Sequence, residues 1–299
     1  MKKNYFDIQL FAAENTTVTT DLEPAISVDC VSNITSNINE LRELLGIVDM
    51  EPMSAGTSIK IYKMEQVNTP AQVGEGEEIA LTKIERKLAR TIDLVLKKYR
   101  RNTTAEAIQR VGRNIAINKT DEKLLSGIQK EIKAAFYALL QTGTGSAEGG
   151  TTLQAALSSA WNGVKKFYED EDATPIYFVS SDDVAGYLGS AQVSMQTAFG
   201  MSYIKDFLGL GTVVVAPSLP AGKVIATAKE NLHGAYVPAN SGDVARTFGL
   251  TSDTTGLVGM NHTAISGNAT VDTLAMSGVV FYPEMLDGVI VATISAAGA

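Results

Sequence analysis

Two ribbons of alternating apolar and polar residues, 58–64 and 88–99, flank an acidic stretch that follows neither a helical nor a strand period, and a long amphipathic helix comes after them. In the first ribbon Ile59 and Ile61 alternate with Lys60 and Tyr62. In the second, Leu88, Ile92, Leu94 and Leu96 alternate with Ala89, Thr91, Asp93 and Lys97. A period of two sends every second side chain to the same face, which marks half-buried strands. The connection between them, 65–86, is longer than the ~12 to 15 residues beyond which a structureless loop inside a compact domain is uncommon. Either the strand ends lie elsewhere or the loop reaches something outside its own chain.

With 299 residues, 45% of them hydrophobic, the chain can bury a substantial core in one large domain or two ordinary ones, and it is not a disordered scaffold. A formal charge of -8 argues against a grip on nucleic acid through phosphate neutralisation, so any contact with DNA is expected to be loose. Cys30 is the only cysteine, which rules out an intrachain disulfide and disfavours a thiolate zinc site. Lys2 and Lys3 before Tyr5, Phe6, Ile8, Leu10 and Phe11 imitate a secretory leader, but Asp7 and Gln9 interrupt the apolar run that such a leader needs. No window has the ~18 to 20 apolar residues of a membrane span, so no membrane partner is expected.

Residues 1 to about 35 carry no sustained period and read as an arm, and a short helix over 37–45 is expected to end at Gly46. Thr103 with Glu106 three residues later has the capping-box pattern, so a helix should start there. Gly112 interrupts it, after which Ile117, Leu124, Ile128, Ile132, Phe136 and Leu139 continue one apolar face. If helical over 114–141, this is a rod about 40 Å long at 1.5 Å per residue. Gly143, Gly145, Gly149 and Gly150 mark a flexible break.

A second helix is expected over 153–167 with Leu153, Leu157, Ala160, Val164 and Phe167 on its apolar face, then a strand at 176–179, and a helix opened by Ser180 or Ser181 with Asp182 and Asp183. Further strands are expected at 212–216 and 224–228, and a strand-rich end at 271–276, 279–282 and 289–294. The mixed order makes the class α+β. The chain is expected to leave one core, build a second and return to the first.

The chemistry of an enzyme is missing. His233 and His262 are the only histidines and neither has a partner at ligand spacing, so no metal is expected. Gly222-Lys223 fails the phosphate-loop pattern, and Gly143 and Gly145 fail the dinucleotide pattern, so no cofactor is expected. Adjacent acids such as Asp182 and Asp183 are caps before they are catalysts. The informative charges are elsewhere: Lys97, Lys98, Arg100 and Arg101 near the base of the hairpin, and Glu75, Glu77 and Glu78 near its tip beside Ile79 and Leu81. Such clusters are either plain solvated surface or the two halves of an electrostatic contact between subunits.

The opening Asn4-Tyr5-Phe6-Asp7-Ile8-Gln9-Leu10-Phe11-Ala12 is similar to the start of many major head proteins from phages of Gram-positive bacteria. The series Ala71-Gln72-Val73-Gly74-Glu75-Gly76, the ribbon 94–101, the helix start at Thr103 and the ending Met276-Ser277-Gly278-Val279-Val280-Phe281-Tyr282-Pro283-Glu284 extend the likeness over nearly the whole chain. The chain thus resembles a tailed-bacteriophage major capsid protein of the Hong Kong 97-like fold. The resemblance implies an N-terminal arm (1–50), an extended hairpin loop (56–100), a peripheral domain with a spine helix (101–148 and 238–299) and an axial domain (149–237). It also implies no catalytic residues and self-assembly into hexamers and pentamers of an icosahedral virion shell around double-stranded DNA, built in the bacterial cytoplasm. Without a long helical segment before the arm, a separate scaffolding protein is expected, along with a portal. Three rivals remain: an encapsulin-like cellular compartment, a phage tail-tube subunit and a cytosolic α+β enzyme.

Overall fold

The computed structural model describes residues 16–17, 46–67, 81, 83–169, 173–189, 196–198, 201–204, 207–239, 242–252 and 256–295. The expected helix over 37–45 lies outside them; Gly46 and Ile47 are helical.

β1 (Thr16–Thr17) is a two-residue strand, and β2 (Asp49–Pro52) precedes the hairpin. Strand β3 (Ser58–Gln66) pairs antiparallel with β4 (Ile84–Asp93), so the connection shortens to 67–83. The second ribbon is not one strand. It ends at Asp93, turns through 94–96 and resumes as β5 (Lys97–Thr104) in a different sheet. The turn is pinned by Leu94, which is fully buried and exchanges backbone bonds with the other side of the hairpin base: Leu94 N to Thr57 O at 3.0 Å and Gly56 N to Leu94 O at 3.1 Å. Alternation continues across that turn in the sequence, which is why the period alone joins two strands that belong to different sheets.

The helix start shifts by one residue. Thr104, not Thr103, caps α1 (Ala105–Val111), its hydroxyl accepting from Ala107 N, while Thr103 stays buried in β5. Gly112, at φ 83, ends α1. The chain restarts as a π-helical segment (Asn114–Lys119) that runs into α2 (Thr120–Leu140), close to the expected rod. Ile117, Ile128, Ile132 and Phe136 are buried as expected, joined by Tyr137 and Leu140, whereas Leu124 and Leu139 are only partly covered.

The centre is a seven-stranded sheet of order β6-β17-β11-β7-β10-β9-β8. It contains β6 (Gly145–Ser146), β7 (Pro175–Val179), β8 (Gln196–Ala198), β9 (Met201–Ile204), β10 (Thr212–Val215), β11 (Lys223–Ala228) and β17 (Ile290–Thr293). Helix α2 covers one face, where Ile176, Phe178, Val214 and Ile225 meet Phe136 and Tyr137. Helix α3 (Leu153–Phe167) covers the other, against Tyr177, Val179, Val213 and Val224. Both faces are buried, which explains why these strands read as continuous apolar runs instead of alternating ones. One sheet therefore serves both expected cores, and β17, at the end of the chain, lies in it antiparallel to β11.

The expected flexible break at Gly143–Gly150 is instead a tightly packed passage. A Cβ on Gly143 would lie 2.6 Å from the Val289 carbonyl oxygen, and one on Gly150 2.6 Å from the Ala155 Cβ. These glycines let backbone approach backbone. The helix α4 (Ser181–Leu188) is capped by Ser180, and the Asp183 carboxylate accepts from Gly222 N at 2.8 and 3.0 Å, so this acid ties a helix start to a turn.

Two smaller sheets complete the fold, with α5 (Gly242–Phe248) between their strands in sequence. One orders β1-β5-β15-β14-β13, with β13 (Thr251–Ser252), β14 (Val258–Ile265) and β15 (Thr270–Ser277); the other orders β16-β12-β2, with β12 (Leu232–Tyr236) and β16 (Val279–Pro283).

Candidate assembly interface

The β3–β4 hairpin stands outside the sheets that hold the core, as a sheet of its own. A bulge between Ile61 and Tyr62 shifts its register, after which Tyr62 pairs with Leu88, Met64 with Arg86, and Gln66 with Ile84. Partners directly opposite share a face, so Tyr62, Met64, Ile84 and Leu88 form one apolar side. That side is bare: Met64 is 66%, Ile84 67% and Leu88 53% exposed, and Leu81 beyond it 90%. Arg86 lies over the Tyr62 ring with its Cζ 3.7 Å from the centroid.

The opposite side is charged toward the tip and carries Ile59, Ile61 and Ile92 toward the base. The bulge thus puts Leu88 on the other face from Ile92, with which the sequence alternation grouped it, and the exposed apolar side includes Tyr62 and not Ile59 or Ile61. Lys63 faces Lys87 and Glu65 faces Glu85, two like-charge pairs that a diagonal contact relieves, Lys87 Nζ to Glu65 Oε2 at 2.7 Å. Lys87 holds the Glu65 carboxyl below its ordinary value, and Glu65 raises the Lys87 ammonium. The ribbon is thus an amphipathic projection with one face suited to water and one to protein.

Its base meets the body lightly. Arg90 Nη2 donates to Pro283 O at 3.3 Å, and Lys63 Nζ is 3.7 Å from Asp287 Oδ2 with both side chains mostly exposed. Burial pushes the Arg90 guanidinium below its ordinary value. Between hairpin and body runs a groove of about 610 Å³, walled by Ile61, Tyr62, Met64, Phe167, Met285 and Leu286. Phe167, expected on the buried face of α3, is 38% exposed there. The far wall is held firmly: Asn231 Nδ2 donates to Met285 O at 2.9 Å, and Asn231 Oδ1 accepts from Met285 N at 2.7 Å.

Among the residues singled out from sequence, Glu75, Glu77, Glu78 and Ile79 lie outside the described residues, and Leu81 is exposed just before the start of β4. The basic run on β5 is largely engaged within its own chain. Lys97 pairs with Glu131, which also accepts from Tyr99 Oη at 2.7 Å. The Lys97 bond, then the Tyr99 bond, hold the Glu131 carboxyl below its ordinary value, while burial first and Glu131 second push Tyr99 up to about 12. Arg100 pairs with Asp272 at 2.5 Å.

Arg101 is an internal strut. Its Nη2 is 2.5 Å from the buried Asp121 carboxylate, and its guanidinium donates to the carbonyls of Ala116 and Ile117 in the π-helical segment. The Thr120 hydroxyl reaches the same two carbonyls at 2.8 and 2.9 Å. Side-chain donors inserted into the helical ladder in this way accompany a widened turn. Lys98 is exposed and makes no ion pair among the described residues. The acids that neutralise this run come from α2 and β15, 20 to 172 residues away in sequence.

His262 Nε2 lies 2.5 Å from Asp121 Oδ2, and His233 stacks on Tyr282, 3.6 Å from Glu284. Among the described residues no group of three or more metal-ligating side chains is gathered, and no helix is long and apolar enough to cross a membrane.

No protein-family model matches the sequence, and no curated protein matches it. Solved structures do. A structure of Mycobacterium phage Patience aligns over 97% of this chain and 95% of that one, with 11% identity and a TM-score of 0.55. The cyanophage A-1(L) capsid aligns over 85% of this chain and 93% of that one, with 10% identity and a TM-score of 0.57. The SrpI encapsulin of Synechococcus elongatus aligns over 90% and 91%, with 13% identity and a TM-score of 0.52. With its projecting hairpin, long helix and central sheet, the chain has the α+β Hong Kong 97-like fold of these shell-forming subunits.

Proposed function

We propose that the chain is the major capsid protein of a tailed bacteriophage, a structural subunit that assembles into the icosahedral head shell around double-stranded DNA. The observation that carries this reading is the hairpin, on whose apolar side Met64, Ile84 and Leu88 are each more than half exposed. Burial is worth about 25 cal/mol per Å², less the cost of ordering the partners, so a face of this kind gains its free energy only on a neighbour. Contacts that are individually weak then add up over a closed shell of heterologous interfaces.

In this reading the arm (1–50) and hairpin (56–100) reach adjacent subunits, the segments 101–148 and 238–299 form the peripheral domain, and 149–237 the axial domain. The tip residues Glu75, Glu77, Glu78, Ile79 and Leu81 and the exposed cations Lys97, Lys98 and Arg100 are the subunit-contact candidates; Arg101 supports them from inside. Hexamers and pentamers are the building units, with a separate scaffolding protein and a portal as partners. The net charge of -8 leaves packaged DNA weakly and non-specifically held. Deleting 72–81 tests the reading: the variant is expected to fold as a monomer and form no particles in negative-stain micrographs. Intact particles would overturn the docking role of the tip.

The likeness to an encapsulin supports a second reading, a cellular compartment shell. Shells that enclose an enzyme cargo and no DNA would decide for it. Helical tubes in the same micrographs would point to a tail-tube subunit.

A further inference from the structure

We infer that the lysine edge of α2 is the surface that meets the packaged double-stranded DNA, touching its phosphates without reading its sequence; this rests on the shell reading above. Positive charge is segregated along the chain. Residues 97–133 hold ten cations and four acids, a net +6, in a chain whose total is -8. On a helix of 3.6 residues per turn, Lys119, Lys123, Lys130 and Lys133 fall within about 80° of one another and span about 21 Å. The buried Ile128, Ile132 and Phe136 occupy the other side, so the row borders the open side of α2.

The row keeps its charge. Lys123 and Lys130 are exposed and make no ion pair among the described residues, and Lys119 meets Glu122 only at 3.7 Å. Glu131, the one exposed acid on α2, is already engaged by Lys97 and Tyr99 of β5, so it does not oppose the lysines.

The rest of the face selects the partner. Apart from these charges, the exposed residues of α2 are Gly127, Ala134, Ala135 and Ala138. A protein docking here would find no aromatic, arginine or large apolar anchor, the groups in which the binding energy of protein interfaces concentrates. A phosphate backbone needs none. It carries one negative charge per ~1.7 Å of duplex axis, and lysine point charges on flexible stems follow it in any sequence. Small side chains beside the lysines let the duplex come close, while the acidic remainder of the chain repels it. The contact is therefore weak and confined to one edge.

The test titrates the purified full chain against a fluorescently labelled, random-sequence DNA duplex and follows anisotropy at several salt concentrations. Three phosphate contacts weaken binding about 40-fold between roughly 50 and 200 mM salt, at a slope of about -0.9 for each. Joint replacement Lys119→Gln, Lys123→Gln and Lys130→Gln is expected to abolish that binding at an unchanged thermal midpoint, and arginine at the same three positions to restore it. Lys165→Gln with Lys166→Gln removes exposed cations from α3, across the central sheet, and is expected to change nothing. No binding by the unaltered chain, comparable losses from the two sets of glutamines, or preference for polyglutamate over the duplex would overturn the inference. Negative-stain micrographs of the same preparations report on the shell separately. Particles from the unaltered chain, with DNA binding indifferent to the α2 glutamines, overturn the inference and leave the shell reading standing; no particles from the unaltered chain overturn both.

Discussion

Arg101 Nη2 lies 2.5 Å from Asp121 Oδ1, and the other oxygen of that carboxylate meets His262 Nε2 at 2.5 Å. Thr273 adds a hydroxyl to Oδ1 at 3.2 Å. Through this carboxylate, β5, β14 and β15 grip the first turn of α2 where the π-helical segment joins it.

Removing the guanidinium takes from the buried Asp121 carboxylate its permanently charged partner and leaves only His262 and Thr273 beside it, so Arg101→Met is expected to cost about 3–5 kcal/mol of stability. Arg100→Met, from an ion pair whose arginine is largely exposed, should cost no more than about 1 kcal/mol. Urea denaturation of the two variants side by side checks the contrast, and similar losses would refute it.

Charge placed on the bare side of the hairpin should separate folding from assembly. Leu88→Glu is expected to change subunit stability by no more than about 0.5 kcal/mol, since the side chain is half exposed and buries little. The same change should abolish particles. Sedimentation velocity of the variant, beside its thermal melt, reports both outcomes.

Glycines of the helix and of the packed passage should respond oppositely to alanine. A Cβ on Gly127 meets nothing within 4 Å, so Gly127→Ala should stabilise α2 by about 0.5–1 kcal/mol through the lower entropy of the unfolded chain. Gly143→Ala forces a methyl onto Val289 and should destabilise by more than that. Denaturant midpoints of both variants give the signs directly.

Two groups on the same contact predict the pH limits of the subunit. Glu131 is held below its ordinary 4.5 by Lys97 and then Tyr99, so its contribution is present above pH 4.5 and is lost as pH falls below that value through the lower folded one. Tyr99 rises from 10.0 to about 12 on folding, so its contribution is full below pH 10 and declines as pH climbs toward 12. Unfolding midpoints measured across pH should fall at both ends. Tyr99→Phe should flatten the alkaline limb, and Glu131→Gln the acid one.

Much of the fold was legible in the residues themselves. The apolar face from Ile117 to Phe136, the helix start at Ser180 or Ser181, which the structure caps at Ser180, and the strands at 176–179 and 224–228 follow from periods and caps that act over a few residues. The hairpin was legible as alternation, but its exposed face was not: the alternation set Ile59 and Ile61 apart from Tyr62 and grouped Leu88 with Ile92, whereas the bulge at Ile61/Tyr62 puts Leu88 with Tyr62 and Met64. The boundary at Leu94 was not legible, since a strand that changes sheets keeps its alternation. Nor was the use of Gly143 and Gly150, where the close approach comes from β17 and from the first turn of α3.

The basic run shows the division most clearly. Its four cations were visible in the sequence, and so were Asp121, Glu131 and Asp272, but nothing in their spacing joins them. That pairing exists because α2 and β15 pack against β5, bringing together charges separated by as many as 172 residues. The sequence by itself determined which segments are helix or strand and that one ribbon carries an apolar face. Only the tertiary structure decided that most of the cations are neutralised from within while the ribbon's face stays open, because burial and Coulomb attraction depend on distances in space that chain spacing does not set.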